Sequence, residues 1–199
     1  MDKKSIPCLW RDEEECNTCE LSGKLHCHLD KSHALIFGTP FIAYMIPTII
    51  GLIFLPLPAN IVGISVWIGY LVFFFLWWEP RILCSHCPFY AEPNTQTLHC
   101  SINYGFRKTT TYNPEPATNW EQAQFIIGVI LIFGIPSIFL IFDNQWIILL
   151  IGLGAIVWWV IVLQKYICTD CINFSCVLNK VPEDLKKKFI GKNPCMRDG

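Results

Sequence analysis

The chain has 199 residues, 53% of them hydrophobic and only 16% charged, with a formal net charge of −1. A net charge so small identifies no partner class, and the sequence holds no nucleotide-binding loop, no nucleophile triad and no nucleic-acid motif. Four long uncharged runs leave too few other residues to wrap them, which excludes a soluble globular fold.

In chain order, residues 1–33 form a polar, acidic arm, which is not the pattern of a cleavable signal peptide. Asp12 to Glu15 reads as a helix start with Asp12 as N-cap and Glu15 three residues on, and Gly23 as the helix end. Residues 34–78 form a first hairpin of two apolar runs, Ala34–Leu57 and Ala59–Trp78, joined by Pro58. Residues 79–124 form a loop with turns at Glu92-Pro93-Asn94 and Asn113-Pro114-Glu115-Pro116. Residues 125–163 form a second hairpin, Phe125–Phe142 and Trp146–Leu163, joined by Asp143-Asn144-Gln145. Residues 164–199 form a tail in which Pro182 to Gly191 has acids early, bases late and a final glycine, the order of a dipole-matched helix.

The four runs measure 24, 20, 18 and 18 residues and contain no Asp, Glu, Lys, Arg or His. About 18 apolar residues suffice to cross the roughly 30 Å hydrocarbon layer. The expected fold is an all-α membrane protein, four transmembrane helices in two hairpins with a Cys-rich metal-binding module. All fifteen Lys and Arg lie in the arm, the loop or the tail, and neither hairpin connector holds one. The positive-inside rule therefore places both termini and every Cys segment in the cytoplasm.

Within the spans, Pro40, Pro47 and Pro136 imply kinks, with Thr48 and Ser137 beside two of them to satisfy freed carbonyls. Gly51, Gly63, Gly69, Gly128, Gly134, Gly152 and Gly154 offer close helix approach. The absence of His from the spans excludes an intramembrane bis-His haem. Glu79 and Asp143 stand at span edges, where water is expected, so the membrane part reads as a support. An internal repeat is visible: Ile46-Pro47-Thr48-Ile49, then Trp77-Trp78, then Cys84-x-x-Cys87, against Ile135-Pro136-Ser137-Ile138, then Trp158-Trp159, then Cys168-x-x-Cys171.

All eleven cysteines lie outside the spans. Three Cys-x-x-Cys pairs, Cys16/Cys19, Cys84/Cys87 and Cys168/Cys171, each let two thiolates meet one metal from a single turn. Cys8 and Cys27 add to the arm, Cys100 to the loop, and Cys176 and Cys195 to the tail. With His86 or His99 completing the loop set, the count allows three four-ligand centres; ligands shared between segments are the alternative. Stable disulfides are disfavoured in the cytoplasm, and outer pieces this short need a metal or a partner to fold. His26 and His28 flank Cys27 and are either ligands or exposed polar residues, while His33 is expected at the membrane boundary. Arg107-Lys108 marks the lipid surface or a site for a phosphate or quinone head group.

Soft thiolates select zinc or iron–sulfur clusters. The residues following the second Cys of each pair, Glu20, Pro88 and Ile172, are not the small residues of zinc knuckles, and Ile172, Phe174 and Val177 would keep water off a cluster. Cys87-Pro88 echoes the Cys-Pro of bacterial ferredoxins. Iron–sulfur, of the 4Fe-4S type, is preferred over zinc.

Four spans, Cys segments on one side and the residues around Cys84, Cys87, Cys168 and Cys171 resemble the membrane-bound iron–sulfur subunits of quinol dehydrogenases. That resemblance implies electron transfer between membrane quinone and a partner protein or larger membrane complex, as a subunit of an oxidoreductase. The palmitoyl transferases also carry cysteine-rich zinc segments on four spans, but their Asp-His-His-Cys motif is missing here. The rival expectations are a zinc-ordered membrane anchor or assembly scaffold without catalysis, and a thiol–disulfide redox protein.

Overall fold

The computed structural model describes residues 18–92 and 95–193. Four of its helices are long and apolar enough to cross a membrane, and among the described residues there is no β-strand, only a single bridge between Thr97 and Arg107. Helix α1 spans Lys31–Ile53 and α2 spans Ala59–Phe73; α2 continues through a π-helical segment, Phe74–Trp78, into a short α3, Glu79–Ile82. Helix α4 spans Asn119–Phe142 and α5 spans Trp146–Val162, again running into a π-helical segment, Leu163–Ile167. The tail helix expected from the sequence forms as α6, Glu183–Lys192. At 1.5 Å per residue, α1 and α4 are each about 35 Å long, enough for the hydrocarbon layer.

Helix starts extend beyond the apolar runs because polar caps stabilise them. The Asp30 carboxylate accepts from the Ser32 N–H at 2.7 Å and so starts α1 three residues before Ala34. A reciprocal capping box starts α4: Thr118 Oγ1 accepts from the Glu121 N–H at 3.2 Å, and Glu121 Oε2 accepts from the Thr118 N–H at 2.8 Å. In the arm, the expected cap at Asp12 lies outside the described residues. Gly23 does adopt positive φ, but residues 18–25 form hydrogen-bonded turns and a bend rather than the end of a helix.

The hairpins interleave. The most extensive helix pairing is α1 with α5, followed by α2 with α4, so each hairpin packs mainly on the other. The inner faces meet around Trp67, Phe74, Leu52, Ile132 and Leu140, all buried. The outer faces carry exposed Ile42, Ile46, Ile50, Val66, Ile130 and Leu150, an apolar surface consistent with lipid contact.

The prolines are served differently from expectation. Pro136 frees the carbonyl of Ile132, and the buried indole of Trp67 donates to it at 2.8 Å. Thr48 and Ser137 instead donate to carbonyls one turn back, Tyr44 at 2.8 Å and Phe133 at 2.7 Å. The glycine expectation holds in part. A Cβ on Gly128 would come within 2.3 Å of the Phe74 ring, one on Gly51 within 2.7 Å of Leu140, and one on Gly63 within 3.3 Å of Leu52. Gly152 meets Tyr44 only at ordinary contact distance, and Gly69, Gly134 and Gly154 face open space.

Candidate functional site

Loop, arm and tail share one apolar cluster at the ends of the long helices: Leu21 and Leu25 from the arm, Phe89 from the loop, Ile172, Val181 and Phe189 from the tail. Lys188 and Lys192 of α6 reach Glu20 at 3.8 and 3.5 Å, and Lys192 Nζ lies 3.6 Å from the Cys19 sulfur. This cluster sets the three segments against one another beneath a cavity of about 210 Å³.

Among the described residues, six cysteines line that cavity: Cys84, Cys87 and Cys100 from the loop, and Cys168, Cys171 and Cys176 from the tail. None of the six is in a disulfide. Each set of three is delivered by local backbone geometry. Cys84 opens a 3₁₀ turn, Cys84–His86, closed by the Cys87 N–H donating to the Cys84 carbonyl at 2.9 Å. Cys100 sits at the tip of a small hairpin, held by Leu98 N–H to Phe106 O and Gly105 N–H to Leu98 O, both 2.8 Å; positive φ at Gly105 permits the turn. Cys168 is reached directly from the π-helical end of α5, its N–H donating to Leu163 O at 2.8 Å. The Asn179 amide then pins the tail loop by donating to the carbonyls of Cys171 and Asn173 at 2.7 and 3.0 Å.

The six sulfurs have two kinds of surroundings. Cys87, Cys100, Cys171 and Cys176 are approached by the backbone N–H two residues on, from Phe89, Ile102, Asn173 and Leu178. Cys100 also receives the Asn103 N–H at 3.2 Å. Cys84 and Cys168 instead meet side-chain amides, Asn103 Nδ2 at 3.3 Å and Gln164 Nε2 at 3.7 Å. Burial raises the thiol pKa of Cys87 and Cys100, lifts Cys168 to about 11 and Cys171 to about 12, and raises Cys176. Neighbouring thiols push the same way for Cys87, Cys168 and Cys171, and the Glu79 carboxylate does so for Cys100 and Cys176, while backbone N–H groups oppose the rise at Cys87, Cys100, Cys171 and Cys176. A thiol raised this far is protonated at neutral pH and is a poor nucleophile.

The spacing of these sulfurs is wide. A lone zinc with Zn–S bonds of about 2.3 Å needs sulfurs about 3.8 Å apart. Among the described residues, no three cysteine sulfurs lie within 4.8 Å of one another.

Beyond the sulfurs the cavity continues between the long helices, walled by Phe41, Phe74, Phe75, Phe125, Phe133 and Trp159. Three lining residues carry buried polar atoms that have no hydrogen-bond partner: Glu79 Oε2, Asn173 Oδ1 and Trp159 Nε1. Glu79 is therefore not the water-facing edge residue expected from sequence. It is buried, with Oε1 accepting from Asn103 Nδ2 at 3.3 Å, the same amide group that reaches Cys84.

The remaining sequence candidates lie elsewhere. His86 is buried with Nδ1 2.6 Å from the Glu115 carbonyl and Nε2 3.4 Å from Glu121, and it does not line the cavity. His99 pairs with Glu92 at 3.1 Å and its ring lies beside Tyr104. Cys19 and Cys27 pack at the edge of the apolar cluster rather than along the cavity. Cys8, Cys16 and Cys195 lie outside the described residues. Sequence reasoning missed Glu79, Asn103, Asn173 and Trp159; the one available signal was an Asn set among apolar neighbours, Ile172-Asn173-Phe174. Comparison of the chain with known protein families, curated proteins and solved structures gives no match.

Proposed function

We propose that this protein carries electrons between membrane quinone and a partner protein, through an iron–sulfur cluster held by Cys87, Cys100, Cys171 and Cys176. The observation that carries the reading is the single cavity in which two thiols from each half approach one another, each with a backbone N–H aimed at its sulfur. Such N–H groups stabilise bound thiolates and tune cluster potential. The lack of any three described sulfurs within 4.8 Å of one another speaks against a preformed lone-zinc site among them, and the apolar surroundings keep water away. The enclosure of these sulfurs in the cavity speaks against the thiol–disulfide alternative, which needs an accessible thiolate.

The quinone belongs in the aromatic part of the same cavity. Trp159 Nε1–H is the donor for a ring oxygen, and Glu79 is the group placed to accept a proton. A cluster held by the four cysteines would supply one-electron redox chemistry toward the partner, and Glu79 would take up a proton from a bound quinol. The one-sided distribution of Lys and Arg supports a cytoplasmic position for the cluster end.

Protein purified without oxygen is expected to be coloured, with iron and acid-labile sulfide in equal amounts. A colourless preparation holding only zinc overturns this reading and leaves the zinc-ordered anchor in its place. For sidedness, a Tyr104→Cys variant is labelled with an impermeant maleimide in oriented vesicles; the exposed site should react only from the cytoplasmic face.

A further inference from the structure

At one edge of the sulfur-lined cavity, which His26 and His33 also line, three side chains from distant parts of the chain meet. His26 comes from the arm, His33 from the first turn of α1, and Asp170 from inside the Cys168-x-x-Cys171 turn. The two Nε2 atoms are 2.6 Å apart, and Asp170 Oδ2 lies 3.2 Å from that of His26 and 3.5 Å from that of His33. All three ligand atoms fall within 4.8 Å of one another, and among the described residues no cysteine sulfur joins them at that spacing.

His33 Nδ1 is 3.2 Å from the Asp30 carboxylate. Its Nε2 faces the other imidazole nitrogen, the Asp170 carboxylate and, at 2.9 Å, the Tyr166 carbonyl oxygen. Asp170 Oδ1 is buried and has no hydrogen-bond partner. Two ring nitrogens and two oxygens thus converge on one point, an arrangement that a shared cation would hold together.

We infer that His26, His33 and Asp170 bind one divalent transition-metal ion, of the zinc class, as a centre separate from the sulfur site. Two imidazoles and a carboxylate suit such an ion, and the bond from the second nitrogen of His33 to Asp30 is the usual outer support of a metal-bound imidazole. Bonds of about 2.0–2.1 Å in a tetrahedron set ligand atoms about 3.3 Å apart. Both Asp170 contacts already fit, and the imidazoles need only part slightly. The ion clips the arm to the tail's cysteine turn, where the His26 N–H also donates to Asp170 O at 2.9 Å.

The test uses the full-length protein, purified in detergent without oxygen and titrated with zinc alone. One equivalent is expected in addition to any sulfur-bound metal, with X-ray absorption at the zinc edge showing only nitrogen and oxygen neighbours and the outer scattering of imidazole. Zinc neighbours that include sulfur, or no extra equivalent in the wild-type protein, overturn the inference; neither depends on a variant folding. His33→Ala and Asp170→Asn should each weaken the extra equivalent at least roughly tenfold, leaving iron content and visible absorption unchanged. Unchanged zinc affinity in both also overturns it. Cys87→Ser should do the reverse, losing iron and keeping the nitrogen-bound zinc, so the two readings fail separately.

Discussion

The two halves of the molecule carry the same parts in the same order and differ in what surrounds them. Each has a proline-containing helix, a short connector, a second helix that ends in a π-helical segment, then Cys-x-x-Cys and a third cysteine. α1 pairs with α5 and α2 with α4, an exchange of partners compatible with related halves, but the first pairing is much the more extensive. The connections to the third cysteine differ: Cys100 follows Cys87 through a 3₁₀ turn and a hairpin, whereas Cys176 follows Cys171 within one pinned loop. Polar surroundings differ too, since Cys84 shares its Asn103 partner with buried Glu79 while Cys168 meets the neutral Gln164. Repetition therefore accounts for the sulfurs, and divergence for the groups that would handle a proton.

The largest expected effect tests the equivalence of the halves. Cys87→Ser and Cys171→Ser should each remove nearly all cluster iron, whereas Cys84→Ser and Cys168→Ser should retain most of it. Iron analysis of the four variants decides this, and loss confined to one half would break the symmetry. Next comes packing along a single helix. Gly128→Ala drives a methyl into Phe74 and should lower stability by about 1–3 kcal/mol, while Gly134→Ala, facing open space, should be near neutral in thermal unfolding of the detergent-solubilised protein.

A smaller effect concerns the carbonyl freed by Pro136. Trp67→Phe leaves the Ile132 carbonyl beside Pro136 without its donor and should cost about 1 kcal/mol, the scale of hydrogen bonds within membranes. The smallest concerns α6, which has no counterpart in the first half. Glu183 is held below its ordinary carboxylate pKa by the hydrogen bond from Lys186. A depressed folded-state pKa gives stability that is present above the model-peptide value near 4.5 and lost as pH falls through the lower folded value. Glu183→Gln should therefore flatten a slight decline in melting temperature below that pH and change little at pH 7.

Much of the fold was legible because lipid imposes a simple rule, long stretches without charge, and the four spans follow it. The cysteine pairs were legible as pairs because Cys-x-x-Cys is a local geometry. Sharing between segments was one of two arrangements the sequence left open; which cysteines share a cavity was not legible, since Cys87 and Cys171 are 84 positions apart and only packing brings them together. The same holds for His33 and Asp170, and for Trp67, whose partner carbonyl lies on another helix. Glu79 misled because a residue at the end of an apolar run looks wet; the hairpin carrying Asn103 folds over it and closes it off.

The π-helical endings of α2 and α5 make the aim of the cysteine turns tolerant of a one-residue change in chain length at those places. A π segment holds one residue more than the α-helix would, and removing one residue from Phe74–Trp78 or Leu163–Ile167 would let the helix regain its usual winding. Everything downstream would then keep nearly its present orientation, because the wide turn already absorbs the extra residue, whereas a deletion in the regular part of α2 or α5 would swing the cysteine turn by about 100° around the axis. These two five-residue stretches are thus where a deletion leaves the aim of the sulfurs intact.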